Sequence, residues 1–79
     1  MKKTANTLKD LKVGKSAVVT AIRTTGSLKK RLVDMGLTPG VTLYVRKVAP
    51  LGDPIQISLR GYELLIRGSD AENILIQPA

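Results

Sequence analysis

Alternation of apolar and polar residues runs through most of the chain with a period of two, interrupted once by a stretch of helical period. Ala17 to Arg23 sets Ala17, Val19 and Ala21 on one side and Val18, Thr20 and Ile22 on the other. Val41 to Val48 sets Val41, Leu43, Val45 and Lys47 against Thr42, Tyr44, Arg46 and Val48, and apolar residues on both faces predict a strand bent around a core. Ile55, Ile57 and Leu59 alternate with Gln56, Ser58 and Arg60, the pattern of a half-buried strand. After a tight hairpin at Gly61-Tyr62, Leu64 and Ile66 alternate with Glu63 and Arg67, while Leu65 departs from a polar outer face. Ile74 and Ile76 end the pattern in a short strand, and an unprotected edge from Ile74 to Gln77 would support weak pairing between copies.

Between the first two strands, Leu28, Leu32 and Met35 fall at i, i+4 and i+7 on one helical stripe, with Gly26-Ser27 offering the N-cap. Gly36 suits the left-handed position that ends a helix, which sets Leu37 against Leu32 in a Schellman motif. Pro39-Gly40 then fits the centre of a type II turn leading into the second strand. Ser69-Asp70-Ala71-Glu72 has capping-box spacing, with room for one helical turn.

Five strands at roughly ten-residue spacing predict a mainly β fold, a small five-stranded barrel with one short helix between the first two strands, because closure would remove the edges of so small a sheet. The organisation expected is a loose lead over residues 1–7 and a single domain over residues 8–77. At 79 residues, such a domain leaves little interior for a deep active-site cavity. No apolar run approaches the roughly 20 residues needed to span a bilayer, and polar residues after Met1-Lys2-Lys3 break any signal-peptide core. A cytoplasmic address is the expectation, and the absence of cysteine from the sequence is compatible with it.

Ala49-Pro50-Leu51-Gly52-Asp53-Pro54-Ile55 joins two predicted strands through a loop that two prolines and a glycine restrict to few conformations. Leu51 there either folds over the barrel end or stands out as a preorganised contact for another protein. This loop follows nine residues after Arg31-Leu32-x-x-Met35-Gly36-Leu37-x-Pro39-Gly40, and the two motifs together resemble the FeoA family, ferrous iron transport protein A, from about Leu8 to Ile76. The resemblance implies an SH3-like barrel and a non-enzymatic cytoplasmic accessory role, docking on and modulating FeoB, the membrane GTPase that moves ferrous iron. Partner contacts are expected among Leu51, Pro50 and Asp53 of the loop and Leu37 and Arg31 of the first motif. The loop end is preferred, because an eight-residue strand at about 3.3 Å per residue separates the two groups by roughly 26 Å.

The residue inventory bears on the alternatives. Ferrous iron favours imidazole, thiolate or clustered carboxylate, yet the chain has no His, no Cys and six scattered acids, so neither a metal site nor a cofactor is expected. Met35 lies at core spacing. Gly14-Lys15-Ser16 resembles the end of a Walker A loop, but Lys9 stands where its first glycine belongs and a strand follows where a helix is required. Thirteen Lys and Arg against six acids give a net charge of +7, which raises the alternative of a small basic β-barrel that binds nucleic acid. With Tyr44 and Tyr62 as the sole aromatic residues, platforms for base stacking are scarce, and no specific nucleic acid is expected. Lys2, Lys3, Lys9, Lys12 and Lys15 instead suit a solvated tail or attraction to an anionic inner membrane.

Overall fold

The computed structural model describes residues 7–78 and arranges them around one antiparallel sheet. Its strands are β1 (Ser16–Ile22), β2 (Thr42–Val48), β3 (Ile55–Leu59), β4 (Tyr62–Ile66) and β5 (Ile74–Pro78), in the spatial order β4-β3-β2-β1-β5. Helix α1 (Gly26–Asp34) joins β1 to β2, and a single-turn helix, α2 (Gly68–Ala71), joins β4 to β5. Residues 1–6, most of the lead expected to be loose, lie outside the described residues. Thr7 bridges Leu75, and a 3-10 turn over Leu8–Asp10 packs against α2 and β5.

The period-two pattern translates into a core because alternate side chains leave a strand on opposite faces. Ala17, Val19, Leu43, Val45, Ile55, Ile57 and Leu59 all point inward, where Leu8, Leu32, Leu37, Ile66 and Ile74 complete the packing. In β1 and β2 the alternation changes phase partway. Register shifts lie between Val19 and Ala21 and between Val45 and Lys47, and past them Ile22 and Val48, which simple alternation sets on the face opposite Val19 and Val45, pack against the core. An extra residue on one strand reverses the facing of all that follow it and bends the strand, which is how both faces of β2 come to carry apolar residues.

The sheet is not closed by a ladder between β4 and β5, contrary to the expectation of full closure. Residues 67–73, which include α2, connect these two strands at opposite edges of the sheet; α2 packs against the 3-10 turn, which also packs on β5. Thr7 covers part of the β5 edge that the sequence suggested for self-pairing.

The helix ending has the geometry its residues predict. Gly36 takes φ +100°, its N–H donates to the Val33 carbonyl at 2.9 Å, and the Leu37 N–H donates to the Leu32 carbonyl at 3.1 Å. Thr38 to Val41 forms the turn, with Gly40 at φ +95° and a 3.1 Å bond from the Val41 N–H to the Thr38 carbonyl. Gly40 and Val19 are tied by a 2.7 Å bond, so the turn is docked on β1 as it starts β2. The helix start differs from expectation by a residue or two: Thr25 is the N-cap, without a side-chain capping bond. At α2, Arg67 takes the N-cap position expected of Ser69. The hairpin turn falls on Arg60-Gly61, both at positive φ, and Tyr62 begins β4.

Candidate docking site

The loop from Ala49 to Pro54 is held at three points. The Ala49 N–H donates to the Pro54 carbonyl at 3.1 Å, and the Gly52 N–H donates to the Ala49 carbonyl at 2.7 Å, closing a turn with Pro50 and Leu51 at its centre. Asp53 fixes the loop to the rest of the fold, because its Oδ1 accepts a 3.0 Å bond from the buried Gly68 N–H at the start of α2. Leu51 packs on nothing: 95 % of its surface is exposed. The alternative of Leu51 folding over the barrel end is excluded by that exposure, since a covering residue would be desolvated.

Beside the loop lies a cleft of about 250 Å³ lined by Lys47, Val48, Pro50, Pro54, Gln56 and Leu65. Leu65 was visible in the sequence as the apolar residue that breaks the polar outer face of β4, and it is 65 % exposed here. Its contribution to the cleft was not legible, because the pairing of Gln56 with Leu65 across β3 and β4 is a property of register. Arg46 ion-pairs with Glu63 at 3.1 Å, and the Gln56 side-chain amide donates to the same carboxylate.

The remaining residues expected to contact a partner also make contacts within the fold. Leu37 is fully buried as the apolar half of the Schellman ending, which corrects its placement among surface contacts. Arg31 ion-pairs with Asp70 at 3.3 Å, so α1 is tied to α2, the same turn that Asp53 caps. Glu72, at the C-cap of α2 rather than in its first turn, pairs with Lys9 at 2.9 Å. The hydrogen bond and charge of Glu72 hold the Lys9 ammonium above the ordinary lysine pKa of 10.5. Among the described residues no three His, Cys, Asp or Glu side chains gather as a metal site would require, and no helix is long and apolar enough to cross a membrane.

With the fold and this surface in view, the comparisons with known proteins decide the family. The FeoA domain profile matches residues 6–78. The chain belongs to the FeoA family. It is 33 % identical over 70 residues to an Fe(2+) transport protein A/Fe(2+) transporter FeoB fusion protein of Porphyromonas gingivalis, a match covering 89 % of this chain and 8 % of that protein. The chain thus spans under a tenth of that relative's length. The NMR structure of a FeoA-like protein from Clostridium acetobutylicum superposes with a TM-score of 0.86 at 33 % identity, over 99 % of this chain and 90 % of that one. A Stenotrophomonas maltophilia FeoA crystallised with zinc, described as a prokaryotic SH3 domain protein, superposes at 0.81 with 23 % identity, over 92 % and 91 % of the two chains, and shares the fold. The SH3-like reading of the five strands therefore holds, and membership in the FeoA family links the chain to ferrous iron transport.

Proposed function

We propose that this FeoA-family chain is a non-enzymatic cytoplasmic accessory module that docks on a FeoB-type ferrous iron transporter and modulates it. The observation that carries the reading is the fused relative, in which the two functions are named in one polypeptide. Covalent fusion raises the effective concentration of two modules for one another, which suits modules that work in contact. The residue inventory agrees: with neither His nor Cys in the sequence, the commonest general base and the thiol nucleophile are lacking.

The docking surface in this reading is Leu51 with Pro50 and the adjoining cleft at Leu65. Leu51 is already solvated and its backbone already held, so a partner pocket gains its apolar surface at small ordering cost. Asp53 acts here as a support for the loop, and Arg31 as a support for α2.

Leu51→Ala tests the reading. Because the side chain is exposed, its truncation leaves the unfolding midpoint within experimental scatter, while binding to the transporter's cytoplasmic part weakens by more than about 1 kcal/mol, as truncating an interface anchor commonly does. Binding measured by pull-down and calorimetry that stays at the parent level in Leu51→Ala and in Leu65→Ala removes this surface from the proposal.

A further inference from the structure

We infer that the turn from Lys12 to Lys15 is a contact site for an anionic lipid surface. The turn is formed by a 3.1 Å bond from the Lys15 N–H to the Lys12 carbonyl, with Val13 and Gly14 at its centre. It is braced on β2 from both sides, since the Gly14 N–H donates to the Val45 carbonyl at 2.8 Å and the Lys15 carbonyl accepts from the Val45 N–H at 3.0 Å. Val13, 53 % exposed, is therefore presented at the apex of a fixed turn between two exposed lysines. Behind it lies a cleft of about 450 Å³ lined by Leu11, Lys12, Gly14, Lys15 and Pro78.

The charges single out this turn within the basic stretch near the chain start. Lys9 is engaged by Glu72 at 2.9 Å. Asp10, the acid that lines the cleft, has its Oδ2 turned to Thr7, accepting bonds from the Thr7 N–H at 3.4 Å and the Thr7 hydroxyl at 3.3 Å. Lys12 and Lys15 thus present two cationic groups either side of an apolar tip. Tyr44, 40 % exposed, is the cross-strand partner of Ser16 at the foot of the turn, and an amphipathic ring suits the level of lipid headgroups. An apolar tip between cations matches a surface that is anionic outside and apolar beneath, whereas a phosphate chain of nucleic acid would leave Val13 without a partner.

This inference stands on the turn and not on the transporter reading, so a vesicle without any transporter tests it separately. Co-sedimentation of the whole chain with phosphatidylcholine vesicles containing phosphatidylserine is expected to show binding that falls with salt, and pure phosphatidylcholine to show none. Removing both lysines in Lys12→Gln/Lys15→Gln weakens binding about 25-fold, at roughly fivefold per lysine held near such a surface. Val13→Ser leaves the net charge unchanged and weakens binding about tenfold. Lys29→Gln/Lys30→Gln, which removes the same charge from α1, at the other end of β1 in the chain, retains parental binding. The inference is overturned by any of these results: equal loss in the Lys29/Lys30 variant, parental binding in Val13→Ser, binding to neutral vesicles, or tighter binding to a single-stranded oligonucleotide than to the anionic vesicles.

Discussion

Gly36 illustrates how a single position carries several requirements at once. Its φ of +100° penalises any Cβ, and a Cβ built there would lie 2.5 Å from the Tyr62 hydroxyl, which itself donates to the Met35 carbonyl at 2.6 Å. Gly36→Ala is expected to cost about 2 kcal/mol, roughly half from the backbone and half from the displaced hydroxyl bond. Tyr62→Phe alone should cost about 1 kcal/mol, and in that background Gly36→Ala should retain only the backbone part. A double-mutant cycle in urea checks this; full additivity of the two substitutions would mean that the hydroxyl contact is not responsible. The backbone half was legible in the sequence, because the glycine follows a helical stripe and precedes an apolar residue. The Tyr62 half was not, since 25 residues separate the two positions and only folding brings them together.

At the scale of elements, α2 shows a helix held by its surroundings. It is four residues long, too short to persist on its own propensity, and it has no side-chain cap from its own N-cap residue. Asp53 supplies that bond from another loop, at 3.0 Å to the Gly68 N–H, while Arg31 and Lys9 reach Asp70 and Glu72 from other segments. Asp53→Ala should therefore cost about 1 kcal/mol, in the range of a lost N-cap, and should raise amide exchange in residues 68–72, while Asp53→Asn keeps an acceptor and most of the stability. Unchanged exchange in Asp53→Ala would show that α2 is held by packing alone. The Ser-x-x-Glu pattern located a helical turn within a residue or two. It misassigned the cap because a carboxylate 15 residues earlier does that work, and local spacing cannot report it.

For the whole molecule, the gap between β4 and β5 makes the packing of the 3-10 turn and α2 part of the fold's integrity. The Lys9–Glu72 pair joins these two elements across the chain. Since Lys9 is held above its ordinary pKa of 10.5, the pair's contribution is present in full below that pH and is lost as pH rises through the folded-state value. The unfolding midpoint of the parent should exceed that of Lys9→Met from about pH 8 to about pH 10, and the difference should shrink above that as the ammonium deprotonates in the folded state. A difference that stays constant to about pH 12 would assign the effect to packing of the lysine stem instead.

What the sequence by itself determined is whatever depends on near neighbours. The alternation in β3, the helical stripe ending at Gly36 and the Pro39-Gly40 turn each arise from sterics and periodicity within about ten residues, and each has its expected geometry. The two motifs, through their order and spacing, also pointed to the FeoA family that the profile match establishes. Tertiary structure decided the rest. Register shifts in β1 and β2 turned Ile22 and Val48 to the core, because a strand's facing depends on the partner it pairs with. The placing of α2 between β4 and β5 left the sheet unclosed. Packing set Leu37 fully inside and Leu51 fully outside, although both are leucines in short polar contexts beside glycine or proline. Burial is a property of what surrounds a side chain in space, and for residues in turns no period in the sequence encodes it.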